Sequence, residues 1–398
     1  MSVLKKIKNG FLTTFIIWRD EIGKVYKDLG VLMFFVVAPL GYPLIYSYIY
    51  NNEIVEEVTA VVVDNCDTKQ SREFRRMVDA SQGVNIVGVC ANKQEAEEAV
   101  RRHEAYGIIE IPSDFSKKIA SYEQATVLLY ADMGSLLYYK SLALAVSNAS
   151  IDMCADISTQ RAGNYTERED EILTSPMKVN EVAMFNPQGG YASFLIPPVL
   201  ILILQQMMIL GIGMAAGTEK EKGGRLVPCK KYYLGTLRIV FGKSLCYFMV
   251  WAIMAVYLLW LIPVIFKLPQ EGNQLDVIAF AAPFVLSSMY FGMTVGALVR
   301  ERENTFMIFV CTSVVLLFMS GVSWPQSAMP EFWKTVALAF PSTPAIQGYV
   351  KINTMGATLS QVSTEYMTLW IQMIVYFILT TLIYRKEVKK SMEAYYKK

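Results

Sequence analysis

Hydrophobic residues in this chain are concentrated in long runs without charged residues, separated by more polar segments. A helix needs about 20 apolar residues to cross the roughly 30 Å hydrocarbon core of a bilayer. Six runs are about that long: 31–50, 191–216, 244–266, 277–299, 304–322 and 366–384. A soluble protein with buried helices is the alternative, but core helices seldom run so far without a charge. The pattern therefore predicts an α-helical integral membrane protein with six transmembrane helices.

The distribution of basic residues predicts the orientation of these helices. Lys and Arg cluster in 1–30, in 217–243, at Arg300 and Arg302, and in the tail 385–398, whereas the alternate short loops hold only Lys267, Lys334 and Lys351. Because Lys and Arg are enriched in cytoplasmic loops, both termini are predicted to be cytoplasmic and 51–190 to lie outside. Charged residues make up 18% of the chain and the net charge is +2, which gives no reason to expect a nucleic-acid partner.

The long segment 51–190 alternates strand-like and helix-like stretches. Strands are predicted at 58–63, 84–90, 106–111 and 126–130, and helices at 71–80, 92–103 and 113–120, followed by a helical pattern from 135 to about 171. Ser71 is the predicted N-cap of the first helix. Strands separated by helices predict a small α/β domain. Cys66 and Cys90 both lie in it, and the sequence leaves open a disulfide, which an oxidising compartment would permit, or two free thiols.

Two flanking segments have amphipathic or broken patterns. In 1–30, apolar residues recur at helical spacing at Leu4, Ile7, Phe11, Phe15 and Trp18, which predicts a helix lying in the inner membrane interface, with an ordinary soluble amphipathic helix as the alternative. The segment 323–365 has several prolines and an apolar run too short to span. It is predicted to form two short re-entrant or surface-lying helices, with a plain outer loop as the alternative.

Polar residues at the second run provide the candidate functional site. Glu219-Lys220-Glu221-Lys222-Gly223 and Arg225 lie in the predicted loop 217–243, where both signs of charge and a Gly-Gly break favour a docking surface over charge that only fixes topology. Gln205 and Gln206 lie inside the run. They are candidates for lining a translocation path, or for packing against a neighbouring helix.

The sequence does not predict nucleotide or catalytic chemistry in this chain. Gly242-Lys243-Ser244 matches the end of a phosphate-binding GxxxxGK[ST] loop, but Leu237 stands where the first glycine is required, and Ser244 begins an apolar run. The runs have no interior charge of the kind that proton-coupled transporters use. The chain is therefore predicted not to be an enzyme, and any energy for transport must come from another chain.

Several motifs carry a resemblance to a known family. Residues 61–72 hold an apolar strand, then Asp64-x-x-Asp67, Ser71 and a basic helix; residues 106–116 hold Gly107, an apolar strand and Ile-Pro-x-x-Phe; Asn186-Pro187 precedes the second run. In this order they resemble the permease subunit of ATP-binding-cassette exporters of the type-2 (type V) class, in the branch with a large periplasmic domain after the first span. Glu219-x-Glu221-x-Gly223 is similar to the family's coupling helix, although Gly224 replaces its threonine and the following glutamate is absent.

The resemblance implies partners as well as a fold. The fold has an N-terminal elbow helix, six spans, an α/β domain between the first two, and two short outer helices before the sixth. The implied partners are a second permease subunit, identical or not, and cytosolic ATPases that bind ATP and Mg, so that this chain holds no cofactor. Membrane lipid and a periplasmic membrane-fusion adaptor are further expected partners, and the expected location is a bacterial inner membrane.

The expected function is export of a hydrophobic or amphipathic compound, drug-like or lipid-like, driven by ATP hydrolysed in separate subunits. The charged residues at 219–225 are then expected to contact the ATPase. The alternative is a non-transporting receptor or scaffold that acts through the domain at 51–190.

Overall fold

A computed structural model describes residues 3–51, 53–162, 184–186, 189–228 and 235–396. The predicted helical stretch beyond residue 162, Pro187 of the Asn-Pro motif and residues 229–234 of the predicted loop lie outside the described residues. The chain divides into two compact units, one formed by Met1–Glu53 with Ala183–Lys398 and the other by Ile54–Val182. The six apolar runs therefore belong to one unit, and nearly all of the segment 51–190 to the other.

Among the described elements, strands and helices alternate only in the second unit. In chain order they are α1 (Val3–Lys27), α2 (Leu29–Ile49), β1 (Val58–Asp64), α3 (Lys69–Asp79), β2 (Val84–Cys90), α4 (Lys93–Arg101), β3 (Gly107–Ile111), α5 (Phe115–Ala120), β4 (Leu128–Ala131), α6 (Leu136–Ala162), α7 (Tyr191–Gly223), α8 (Thr236–Ile265), α9 (Gln274–Leu298), α10 (Arg302–Met319), α11 (Glu331–Ala337), α12 (Ser342–Asn353) and α13 (Ser363–Tyr396).

The unit of residues 54–182 is built on one mixed sheet with the strand order β2-β1-β3-β4. Strand β1 is parallel to β2 and β3, and β3 is antiparallel to β4. Alternate side chains of a strand point to opposite faces, so Val62 packs with Phe74 and Phe115 on one face, while Val61 packs with Ala96 on the other. The small α/β fold predicted from the alternating pattern is confirmed.

Helix α3 begins earlier than its predicted N-cap. Thr68, not Ser71, is the N-cap: its hydroxyl accepts a hydrogen bond from the Ser71 backbone N–H at 3.3 Å, and the Ser71 hydroxyl accepts from the Thr68 N–H at 2.9 Å. Ser71 also donates to Asp64 Oδ2 at 2.8 Å. This reciprocal capping box satisfies two backbone donors that a cap at Ser71 would leave to water.

Cys66 and Cys90 are free thiols in the structure, so the disulfide alternative is not realised. Cys66 packs against the cluster on one face of the sheet and Cys90 against the cluster on the other, which keeps the sulfur atoms apart. Burial alone would raise the pKa of Cys66, but hydrogen bonds with Ser116 and Thr68 lower it below its ordinary value. Burial and the nearby Glu95 raise the pKa of Cys90.

We expect Cys66 to react with iodoacetamide faster than Cys90 at pH 8, because the thiolate is the nucleophile and Cys66 has the lower pKa. Both thiols are partly exposed, so access does not decide the order. Peptide mass spectrometry after timed labelling of the unreduced protein measures the two rates. A pair that becomes labelled only after reduction would instead establish the disulfide.

The first unit contains six helices that are long and apolar enough to cross a membrane, namely α2, α7, α8, α9, α10 and α13. This confirms the predicted set of six. Helix α2 continues through Pro39 and Pro43, and it contains a π-helical turn at Met33–Val37, shortly before Pro39. The segment between the last two spans forms the helices α11 and α12, and α12 is buried against α7 and α9.

Helix α7 lies at the centre of this unit, and its most apolar 18-residue window is entirely buried. Glycines allow the neighbouring helices to approach it closely. A Cβ on Gly213 would lie 2.3 Å from Thr305 Cγ2 of α10, and one on Gly296 of α9 would lie 3.1 Å from Gly213 Cα. Gly213 and Gly217 of α7, and Gly292 and Gly296 of α9, form two GxxxG patterns that allow α9 and α10 to pack closely against α7.

Candidate functional site at the C-terminal end of the central helix

The charged segment after the second apolar run is helical. Predicted to begin a loop at residue 217, it instead forms the last turns of α7, which ends at Gly223 with Gly224 as a left-handed C-cap (φ +64°). Alternating Glu and Lys are good helix formers, and the Gly-Gly pair stops the helix. The predicted loop is also shorter at its far end, because α8 begins at Thr236 and places Lys243 two turns inside that helix.

A buried cluster of charges joins three helices at this end of α7. The Lys243 ammonium of α8 lies 2.6 Å from Glu219 Oε2 and 3.1 Å from Glu21 Oε1 of α1. Lys24 of α1 pairs with the same two carboxylates, at 3.4 Å from Glu21 Oε2. Tyr247 of α8 donates its hydroxyl hydrogen bond to Glu21. Within the described part of the chain, the cluster thus holds two carboxylates and two ammonium groups, which balance in charge.

Burial makes this cluster energetically demanding. The Glu21 and Lys243 side chains are each 1% exposed, and Glu219 is 11% exposed. Burial opposes ionisation of Glu21, but the positive charges of Lys243 and Lys24 outweigh it and lower the pKa of this carboxyl to about 2. Buried charges persist only when partners satisfy them, so these side chains hold α1, α7 and α8 in one arrangement.

Two further residues of α7 hold the short connection between α9 and α10. Lys220 donates hydrogen bonds to the carbonyl oxygens of Ala297, at 2.6 Å, and Val299. Glu221 Oε1 accepts a hydrogen bond from the backbone N–H of Arg302 at 2.8 Å. A cation at the C-terminus of one helix and an anion at the N-terminus of the next both complement the helix dipoles. The end of α7 therefore fixes the turn between α9 and α10.

The last charged residues of the segment contact the remaining helices. Lys222 Nζ lies 3.4 Å from Asp28 Oδ2, and Asp28 caps the first turn of α2. Arg225 donates to the backbone oxygen of Lys390, near the end of α13, at 3.5 Å. The predicted docking residues thus bind their own chain, and together they connect the end of α7 to the other five spans and to α1.

An open cavity of about 830 Å³ lies beside this segment. It is lined by α1 and by the end of α7, including Arg19, Lys27, Lys222 and Arg225. Arg19 and Lys27 are exposed on α1. The surface available to a partner is therefore a mixed-charge recess between two helices rather than a projecting loop.

Gln205 and Gln206 do not face an open path in this structure. They are 0% and 3% exposed. Gln205 Nε2 donates to Ser342 Oγ of α12 at 3.1 Å, and Gln206 Nε2 donates to Thr312 Oγ1 of α10 at 3.4 Å. Packing against a neighbouring helix, the alternative that the sequence left open, is what the structure shows.

Glu21 and Lys243 are the site residues that the sequence interpretation missed. The sequence pattern places Lys243 at the end of the predicted loop 217–243, and it assigns no role to Glu21 in the helix predicted within 1–30. A signal was present, because Ile17, Glu21 and Val25 lie at i, i+4 and i+8 on one helical face, and both valine and isoleucine on that face are buried. A carboxylate between two buried apolar residues implies a buried cation as its partner.

Comparisons with known proteins agree with this architecture. A family model described as an ABC-2 family transporter protein matches residues 29–382. The chain is 22% identical over 369 residues to the linearmycin resistance permease protein LnrN of Bacillus subtilis (strain 168), which covers 86% of this chain and 91% of that protein. It is 20% identical over 328 residues to the probable multidrug ABC transporter permease YbhR of Escherichia coli (strain K12), which covers 81% of this chain and 84% of that protein.

Proposed function

We propose that this chain, which belongs to the ABC-2 transporter family, is the permease of an exporter that moves hydrophobic or amphipathic compounds outward. Its energy comes from ATP, bound with Mg and hydrolysed by separate ATPase subunits. The names of the two relatives, a linearmycin resistance permease and a multidrug permease, support efflux of such compounds. The one phosphate-loop-like sequence, Gly242-Lys243-Ser244, supports a separate ATPase, because it lies inside α8 with its lysine paired to carboxylates.

The proposal rests on the contacts made at the end of α7. Its charged side chains contact α1 and the ends of all five other candidate spans, so a displacement applied there reaches every span. In this mechanism the ATPase binds in the recess between α1 and α7 and moves the two helices together. The buried charges transmit the movement, and the exposed residues around the recess make the contact.

The distribution of basic residues supports placing both termini and this end of α7 in the cytoplasm of a bacterial cell, with the permease in the inner membrane and residues 54–182 outside. Helix α1 then lies in the inner interface as the elbow helix. Two permease subunits form the transport unit, and the α/β unit is the part available to a periplasmic adaptor.

Lys27→Glu is expected to lower the amount of ATPase that co-purifies with the tagged permease by about tenfold. Lys27 is exposed at the recess, and reversing its charge places repulsion at the proposed contact. The measurement is mass spectrometry of the complex purified from the native host in mild detergent, together with export activity.

Lys334→Glu is the matched control, because it makes the same charge reversal on α11, away from the recess. It should leave the ATPase bound. If the folded wild-type permease brings no ATPase in several detergents, and a partner bound to residues 54–182 appears instead, the scaffold alternative replaces the exporter.

A further inference from the structure

An apolar groove of about 650 Å³ lies between α1, α8 and α9, separate from the charged recess. Its walls include Phe11 and Phe15 from α1, Phe241, Leu245 and Phe248 from α8, and Met289 from α9. The volume is in the range of pockets that hold a small-molecule ligand. The groove therefore has room for an extended hydrocarbon segment.

Several apolar side chains that line the groove are exposed to the outside of the described part of the chain. Phe11 is 75% exposed, Phe15 is 56% exposed and Leu237 is 53% exposed. Two aromatic rings on α1 thus face away from the protein core, whereas the next turns of the same helix bury Ile17 and Val25. In a chain that spans a membrane, such a surface is covered by lipid.

Arg238 is the charged residue in the lining of the groove. It lies in the first turn of α8 and lines the groove with Leu237 and Phe241. Its guanidinium is exposed and makes no hydrogen bond or ion pair with any residue in the described part of the chain. Gly10 of α1 faces it: a Cβ there would lie 3.8 Å from Arg238 Nε. Lys220 and Lys243, by contrast, are engaged with carbonyl oxygens and with carboxylates, respectively.

We propose that this groove binds one anionic phospholipid from the surrounding membrane, with an acyl chain along the aromatic wall and the phosphate on Arg238. An apolar groove whose lining includes one unneutralised guanidinium is complementary to a molecule with a hydrocarbon tail and an anionic head. The bound lipid would join α1 to α8 and α9 at the membrane interface. This inference depends on the chain's being embedded in a membrane and does not depend on the ATPase.

Native mass spectrometry of the purified full-length chain, with added phosphatidylglycerol or phosphatidylcholine, tests the proposal. We expect the wild type to bind one phosphatidylglycerol more tightly than phosphatidylcholine. Arg238→Gln should weaken phosphatidylglycerol binding by about tenfold, the order expected for one charge-assisted contact. Leu245→Trp, which fills the groove, should weaken both lipids.

Arg300→Gln is the control, because it removes an exposed arginine from the connection between α9 and α10, at the same end of the protein but outside the groove. It should bind phosphatidylglycerol like the wild type. The proposal would be overturned in favour of a general lipid coat by either of two results. One is an equal loss of phosphatidylglycerol binding in Arg238→Gln and Arg300→Gln, and the other is equal binding of the two lipids by the wild type. Displacement of the bound lipid by a transported compound would identify the groove as a cargo site and would also overturn it.

Discussion

Lys243→Met is expected to lower the stability of the folded protein by about 3–5 kcal/mol, because it leaves Glu21 and Glu219 buried with Lys24 as the one cation among the described residues that still pairs with them. Lys243 lies within 3.1 Å of both carboxylates and is 1% exposed, so water cannot replace it. We expect a clear fall in the thermal unfolding temperature of the purified permease. Unfolding followed by intrinsic fluorescence in detergent measures this change.

The cluster gives the experiment two internal controls. Lys222→Met removes a lysine at the end of α7 that is 75% exposed, and it should lower stability by less than about 1 kcal/mol. Combining Glu21→Gln with Lys243→Met removes one carboxylate and one cation together. This double variant should be more stable than Lys243→Met alone, since the remaining charges, Lys24 and Glu219, still pair. Equal unfolding temperatures for Lys243→Met and Lys222→Met would contradict the buried ion cluster.

The spans and the α/β unit could be predicted because their signals are local. An uncharged run of about 20 residues and a β-branched strand before a capped helix are each visible within a short window.

The contacts of the charged segment could not be predicted in the same way. Glu219 pairs with Lys24 from the N-terminal helix and with Lys243 from α8, and both lysines also pair with Glu21. No periodicity connects residues so far apart. A helical continuation of α7 through Gly223 was also needed to turn Lys220 and Glu221 toward the connection between α9 and α10. The sequence shows that charged residues cluster at 219–225, but only the fold shows that most of their side chains contact other helices of the same chain.

This arrangement changes which residues should carry specificity for a partner. A carboxylate locked between two lysines has little freedom to bind an ATPase, so substitution of Glu219 would report mainly on stability. The exposed cations of α1, by contrast, can change partner affinity while the fold remains intact. Measurements of stability and of ATPase binding on the same variants should therefore separate the transmitting residues from the contacting ones.

Gly217→Ala is expected to destabilise the packing of α7 against α10 by about 1–3 kcal/mol, the usual cost of overpacking a tight core. The added Cβ would lie 2.6 Å from both the backbone N and the Cα of Arg302. Backbone atoms cannot rotate away as a side chain can, so α10 must shift. That shift would strain the hydrogen bond between Glu221 and the Arg302 N–H, which holds the start of α10.

Gly223→Ala makes the identical change on the same helix at a glycine with nothing within 4 Å of the added Cβ. Alanine favours the helix over glycine by about 1 kcal/mol, so this control should leave stability unchanged or raise it slightly. The test is that the two substitutions should change stability in opposite directions. Thermal unfolding in detergent measures stability, and export activity is measured in cells. If Gly217→Ala unfolds at the same temperature as Gly223→Ala, the close approach of α10 to Gly217 is wrong. Gly217→Ala could also lower stability and abolish export while the ATPase stays bound. In that case the contact between Gly217 and α10 transmits movement from the end of α7 to the transport path.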